Sequence, residues 1–205
     1  MVPLARKLER SFAVYALDLP GFGVSEKPRQ ALSISELAER LRLWLGAVGL
    51  GRVCLLGHSL GSEVVVDLAA RHPELAEKVI IVGPTVDPAL RSYRRQIPRW
   101  PIALAREPLG LLPILMGDYL AAGPKRVFGT LSTMFHDRVE LKLPDVTAPT
   151  LVVRGSGDVL VPQSWVERMT ALLPNGRLVV VDGAAHALNY GAPDVLANVV
   201  QPFLS

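Results

Sequence analysis

Val53-Cys54-Leu55-Leu56-Gly57-His58-Ser59-Leu60-Gly61 is the stretch on which the fold is decided. Its first four residues are an apolar, β-favouring run, and from Leu60 to Arg71 the pattern becomes helical until His72-Pro73 stops it. The pentapeptide between reads G-x-S-x-G. Such a match is common by chance, but here the serine falls in the turn between a strand and a helix. A serine there must turn sharply, in a strained backbone conformation. Flanking residues without a Cβ, Gly57 and Gly61, let the helix approach its neighbours closely. The helix start then presents backbone N–H groups and a positive dipole end beside the hydroxyl.

Working outward, the same alternation recurs. Short β-rich runs at Phe12–Leu17, Arg52–Leu56, Lys78–Val82, Thr150–Arg154 and Arg177–Val181 are separated by helical patterns. That alternation predicts an α/β fold, a mainly parallel sheet with helices packed on it. Ser33 or Ser35 caps a helix running to about Val48, with Ser33 and Glu36 at capping-box spacing. Its apolar face is Leu37, Leu41, Trp44, Leu45 and Val48. Ser164–Leu173 and Pro193–Phe203 are the last two helices. Between Gly83 and Pro149 prolines recur, β-runs vanish and apolar residues stay abundant, which marks a helical insertion rather than a linker. The division is a core of 1–83 and 145–205 with a helical cap at 84–144.

Composition narrows the function. Half of the 205 residues are apolar, a fifth are charged, and the net charge is only +3, without a basic, aromatic-interleaved stripe for nucleic acid. The lone Cys54 rules out an internal disulfide and a cysteine-rich metal site, and inside its apolar run it reads as a buried, inert thiol. Arg6, Lys7 and Arg10 are not followed by a signal-peptide apolar region. Arg106, Glu107, Pro108 and Pro113 break the apolar stretch Ile102–Gly123, so it is not expected to span a membrane. A cytoplasmic location is the expectation.

A serine hydroxyl needs a base, and the base an orienting acid. His58 adjoins the serine and points elsewhere in such a turn. His72 and His136 read as surface or packing residues. His186 lies in the loop Asp182-Gly183-Ala184-Ala185-His186, just past the last strand, at the sheet edge where Ser59 emerges and where ligands of open α/β sheets bind. The loop Gly155–Pro162 brings Asp158 to that edge. Asp182 is too near His186 in sequence to pair easily, and Asp87, after the third strand, is the more serious alternative. The order Ser59, Asp158, His186 is that of an α/β-hydrolase.

These motifs together resemble the α/β-hydrolase superfamily, in the branch of small esterases and C–C bond hydrolases. Asp18-Leu19-Pro20-Gly21-Phe22-Gly23-Val24-Ser25 resembles the loop after that family's fourth strand. Gly57–Gly61 resembles its nucleophile elbow, Asp158 its acid, His186 its base, and Pro84–Pro144 its helical cap. By this resemblance Val2–Leu8 corresponds to the family's first large helix, so the fold is expected to be N-terminally truncated by three strands. The third of these carries a His-Gly loop that forms half the oxyanion hole, and no His-Gly pair occurs in this sequence. Leu60 N–H remains as the donor following the nucleophile; losing the other donor typically costs about 10²–10³ in rate. The missing strand would lie between Phe12–Leu17 and Arg52–Leu56. Phe12–Leu17 then moves over to pair with Val53–Leu56, a second molecule covers the edge, or Met1 is an internal start of a longer protein. An exposed edge favours a homo-oligomer.

The resemblance implies a serine carboxylesterase that needs no metal or organic cofactor and acts on a small-molecule ester. Ser59 attacks, His186 moves the proton, Asp158 orients it, and Leu60 N–H holds the oxyanion. C–C bond or amide hydrolysis by the same triad remains open, as does a weak or inactive remnant that binds ligands or self-associates. Trp100, Leu111, Leu112, Ile114, Leu115 and Met116 read either as an acyl pocket or as ordinary cap core. Arg91, Arg94, Arg95 and Arg99 read as an anion-recruiting cluster or as a solvated helix face.

Overall fold

The computed structural model describes residues 1–205. Helix α1 (Val2–Leu8) and helix α2 (Ile34–Ala47) precede the first strand, β1 (Val53–His58); helix α3 (Leu60–Arg71) and strand β2 (Ala76–Val82) follow. Then come only helical segments: α4 (Tyr93–Gln96), α5 (Trp100–Arg106), α6 (Leu112–Ala122), α7 (Pro124–His136) and α8 (Val139–Lys142), with short 3₁₀ turns between them. Strand β3 (Thr150–Gly155), helix α9 (Gln163–Leu172), strand β4 (Gly176–Val181) and helices α10 (Leu188–Gly191) and α11 (Pro193–Leu204) complete the chain. The four strands lie in the order β1-β2-β3-β4, and every pairing is parallel.

Strand periodicity builds two cores, one on each face of the sheet. Val79, Ile81 and Val152 face a layer of α2, α3 and α9, joined by Val139, Leu143 and Val146 from the end of the helical stretch. Ile80, Val82, Leu151 and Val153 face α1 and α11 through Leu4, Leu8, Leu196 and Val200. The capping box forms as its spacing predicts: Glu36 N–H donates to Ser33 Oγ at 3.2 Å, and Ser33 N–H donates back to Glu36 Oε2 at 2.7 Å.

Two expectations are corrected at the β1 side. Phe12–Leu17 is not a strand and does not pair with Val53–Leu56: Ala13–Leu17 is exposed and makes no backbone hydrogen bond within the chain. A β-run becomes a strand only when a neighbour supplies a ladder. Here side chains hold the segment instead, with Tyr15 edge-on to Trp44 of α2 at 5.5 Å and Phe12 against the second core. β1 is therefore an edge strand, and Cys54 is exposed rather than buried. Its flank has no strand beyond it to cover the thiol, although the partial burial that remains pushes its pKa up.

Candidate active site

Because all four strands run parallel, their carboxyl ends share one edge, and the loops leaving them carry the polar residues. Ser59 follows β1 with φ 54° and ψ −123°, the one non-glycine residue at positive φ. That conformation is costly for an L-residue and persists only where its surroundings over-determine it. Three hydrogen bonds do so here. Ser59 N–H donates to Val82 O at 3.0 Å, and Ser62 Oγ binds Gly57 O and Val82 O at 3.1 and 3.2 Å. Gly57 is where missing bulk matters, since a Cβ there would lie 2.2 Å from Gly61 O. Gly61 is different: a Cβ there would meet nothing within 4 Å, so the close approach belongs to Gly57 alone. Leu60 N–H, at the first position of α3, has no intrahelical acceptor and is free for a ligand oxygen.

The loop after β3 holds Asp158 with a fully buried side chain. Its Oδ1 accepts from Leu160 N at 2.8 Å and Val161 N at 3.1 Å, and its Oδ2 accepts from His186 Nδ1 at 2.7 Å. Burial raises the Asp158 pKa, but the His186 hydrogen bond and charge and the two backbone donors outweigh it, so the net shift is downward and the carboxylate form is favoured. Arg154 braces this loop through Nε to Val161 O at 2.6 Å and a second nitrogen to Asp158 O at 2.7 Å.

The loop after β4 brings His186 to the same place, and its Nδ1–H on Asp158 leaves Nε2 without a partner in the chain. Ser59 Oγ is likewise unpaired, and such pairs often close only over a substrate. Gly83, at φ +52° after β2, lets the ring in: a Cβ there would lie 3.1 Å from His186 Nδ1. The rival acids are engaged elsewhere. Asp87 pairs with Arg168 at 2.7 Å and caps Ala89 N–H, while Asp182 accepts from Ser156 Oγ at 3.0 Å.

Sequence reasoning expected Ser59, Asp158, His186, Leu60, Gly57 and Gly61 at one edge; the structure joins Asp158 to His186 by a hydrogen bond and sets Ser59 between the end of β1 and the start of α3. It missed Gly83 and Arg154, and it undervalued His58. His58 Nε2 donates to His186 O at 2.9 Å, and the two rings lie 4.9 Å apart. Burial and the neighbouring His186 lower the His58 pKa to about 3, so its ring stays neutral and serves as a donor, not a base. A histidine directly before the serine was the available signal. The arginine cluster disperses: Arg91 pairs with Glu140, Arg95 binds Ala89 O, Arg99 binds Val159 O, and Arg94 is exposed. No three His, Cys, Asp or Glu side chains converge as metal ligands, and no helix is long and apolar enough to cross a membrane.

An α/β sheet with a strained serine at one strand end and an Asp–His pair at the ends of two others defines a class of hydrolytic fold. The sequence model of the alpha/beta hydrolase family matches residues 1–199, and the chain belongs to that family. It is 26% identical to the 2-(acetamidomethylene)succinate hydrolase of Mesorhizobium japonicum, over 98% of this chain and 82% of that protein. Among solved structures it resembles a thermophilic esterase from Thermogutta terrifontis, with a TM-score of 0.81 and 21% identity over 99% of this chain and 83% of the other. It also resembles a membrane phospholipase A described as a bacterial virulence factor, with a TM-score of 0.74 and 28% identity over 98% and 73%.

Proposed function

We propose that the chain is a serine hydrolase that cleaves carboxylic esters through an acyl-enzyme on Ser59. The observation that carries this is the strained Ser59 set at the same sheet edge as the 2.7 Å Asp158–His186 hydrogen bond. His186 Nε2 takes the Ser59 proton as Oγ attacks the carbonyl and returns it to the departing alcohol. Asp158 keeps Nδ1 protonated and stabilises the imidazolium. Leu60 N–H holds the oxyanion, and water admitted by the same base releases the acid. The helical segment 84–144 acts as the cap. In it α6 buries none of its residues, with Ile114 and Met116 about half exposed, which counts against reading them as ordinary cap core.

The acetamido group in the name of the Mesorhizobium relative favours a second reading, in which the same acyl-enzyme forms from an amide. Hydrolysis of p-nitrophenyl acetate and of the matching p-nitroanilide, by wild type and Ser59→Ala, tests both. The ester reading expects Ser59-dependent release from the acetate and little from the anilide. Equal background rates for the two proteins on both substrates would sink it.

A further inference from the structure

The peptide unit between His186 and Ala187 is gripped at both ends. Its carbonyl accepts from His58 Nε2 at 2.9 Å, and its N–H donates to Glu107 Oε1 at 3.0 Å. A peptide group is planar, so holding both ends sets the His186 ψ angle and with it the direction of the ring. His58 belongs to the sheet, but Glu107 comes from the helical stretch, directly after α5. The same turn of chain reaches the acid loop as well. Arg99 donates to Val159 O at 3.0 Å and Arg106 to Gly157 O at 2.9 Å, on either side of Asp158. These three side chains therefore bind main-chain atoms of both loops whose side chains form the Asp158–His186 pair. The second oxygen of Glu107 is buried without a hydrogen-bond partner, a costly placement of the kind found where position serves function.

We propose that Arg99–Glu107 is a clasp that aligns the Asp158–His186 pair, with Glu107 its principal positioning residue. The proposal rests on the serine-hydrolase reading for its kinetic consequence but not for its structural one. Glu107 touches no reacting atom; it acts by fixing the backbone that carries the imidazole. Seating of the helical segment on the sheet then sets how well His186 faces Ser59.

Two readouts test it on the whole chain. The first is the low-field proton resonance of His186 Nδ1–H, which reports the bond to Asp158 whether or not any ester is turned over. It should be sharp in wild type and broadened or lost in Glu107→Ala. The second is p-nitrophenyl acetate kinetics, where Glu107→Ala should lower kcat about tenfold with KM changed less than about twofold, because misalignment of a catalytic group acts on the chemical step. Glu107→Gln keeps an oxygen acceptor and should recover the resonance and all but about twofold of the rate. An unchanged resonance and rate in Glu107→Ala, or equal losses in the Gln and Ala variants, overturns the proposal. If wild type turns over no ester, the functional reading falls and the resonance alone decides the clasp. Arg106 is exposed, so Arg106→Met tests the same clasp should Glu107→Ala fail to fold. A rate about threefold lower with a broadened resonance supports the clasp, and wild-type behaviour refutes it.

Discussion

Gly57→Ala and Gly61→Ala are the same substitution on either side of Ser59, yet the structure assigns them opposite outcomes. At Gly57 a new Cβ would stand 2.2 Å from Gly61 O, 2.4 Å from Gly61 C and 2.7 Å from Ser62 N, all backbone atoms. Ordinary contact begins near 3.4 Å, so the first turn of α3 must retreat by about 1.2 Å, and overpacking of this kind costs about 1–3 kcal/mol. In a chain of this size that lowers Tm by roughly 3–10 °C. The retreating turn carries Leu60 N–H and pulls on Ser59, and a misplacement of about 1 Å costs about 10²-fold in rate. At Gly61 a Cβ meets nothing within 4 Å, and the residue is inside α3. Alanine there should leave the rate unchanged and add up to about 1 kcal/mol from helix propensity. Thermal melts by circular dichroism and kcat/KM on p-nitrophenyl acetate measure both. A Gly57→Ala protein as stable and active as wild type would refute the close-approach argument, as would equal damage from the two substitutions.

Glu63, fully buried on α3, should make the protein less stable as pH rises. Burial, with Asp137 beside it, raises its pKa well above 4.5, against the partial opposition of Lys142 and Arg91; Glu140 adds to the rise. Above pH 4.5 the unfolded chain releases this proton while the fold retains it, so stability falls from there up to the folded pKa. Glu63→Gln should raise Tm at pH 8 by about 3 °C, the shift that about 1 kcal/mol gives in a chain of this size, and should raise it less at pH 4. A gain independent of pH would contradict that origin. The exposed β1 edge should make the chain self-associate with rising concentration, and Cys54→Lys, which puts a charge on that edge, should shift it toward monomer in sedimentation velocity. Unchanged sedimentation of the variant would remove the edge from the account.

What could be read from the sequence was what local chemistry controls. The capping box at Ser33 and Glu36 closes within one turn, so its spacing was enough to place a helix start. The four strands of the sheet were legible because each is an apolar run bounded by turn residues. Phe12–Leu17 has the same local character and still fails, because a strand also needs a partner for its backbone, and that partner is not a property of the segment. Cys54 failed for a related reason: burial along a strand depends on whether another strand lies beside it.

Around Ser59 the division is similar. Strand, glycine, serine and helix in succession determined the turn and its strain, since those conformations follow from neighbouring residues. The sequence favoured Asp158 over Asp87 by its loop and by resemblance, but gave no contact that separates the two. Both leave strand ends at the same edge, and only the folded chain shows Asp87 taken by Arg168 and Asp158 bonded to His186. Nor could any spacing reveal that Glu107 holds the peptide after His186, 80 positions further along the chain. A main-chain hydrogen bond asks nothing of the identity of the residue it meets, so it leaves no mark in the sequence, and only the packing of the helical segment on the sheet decides it.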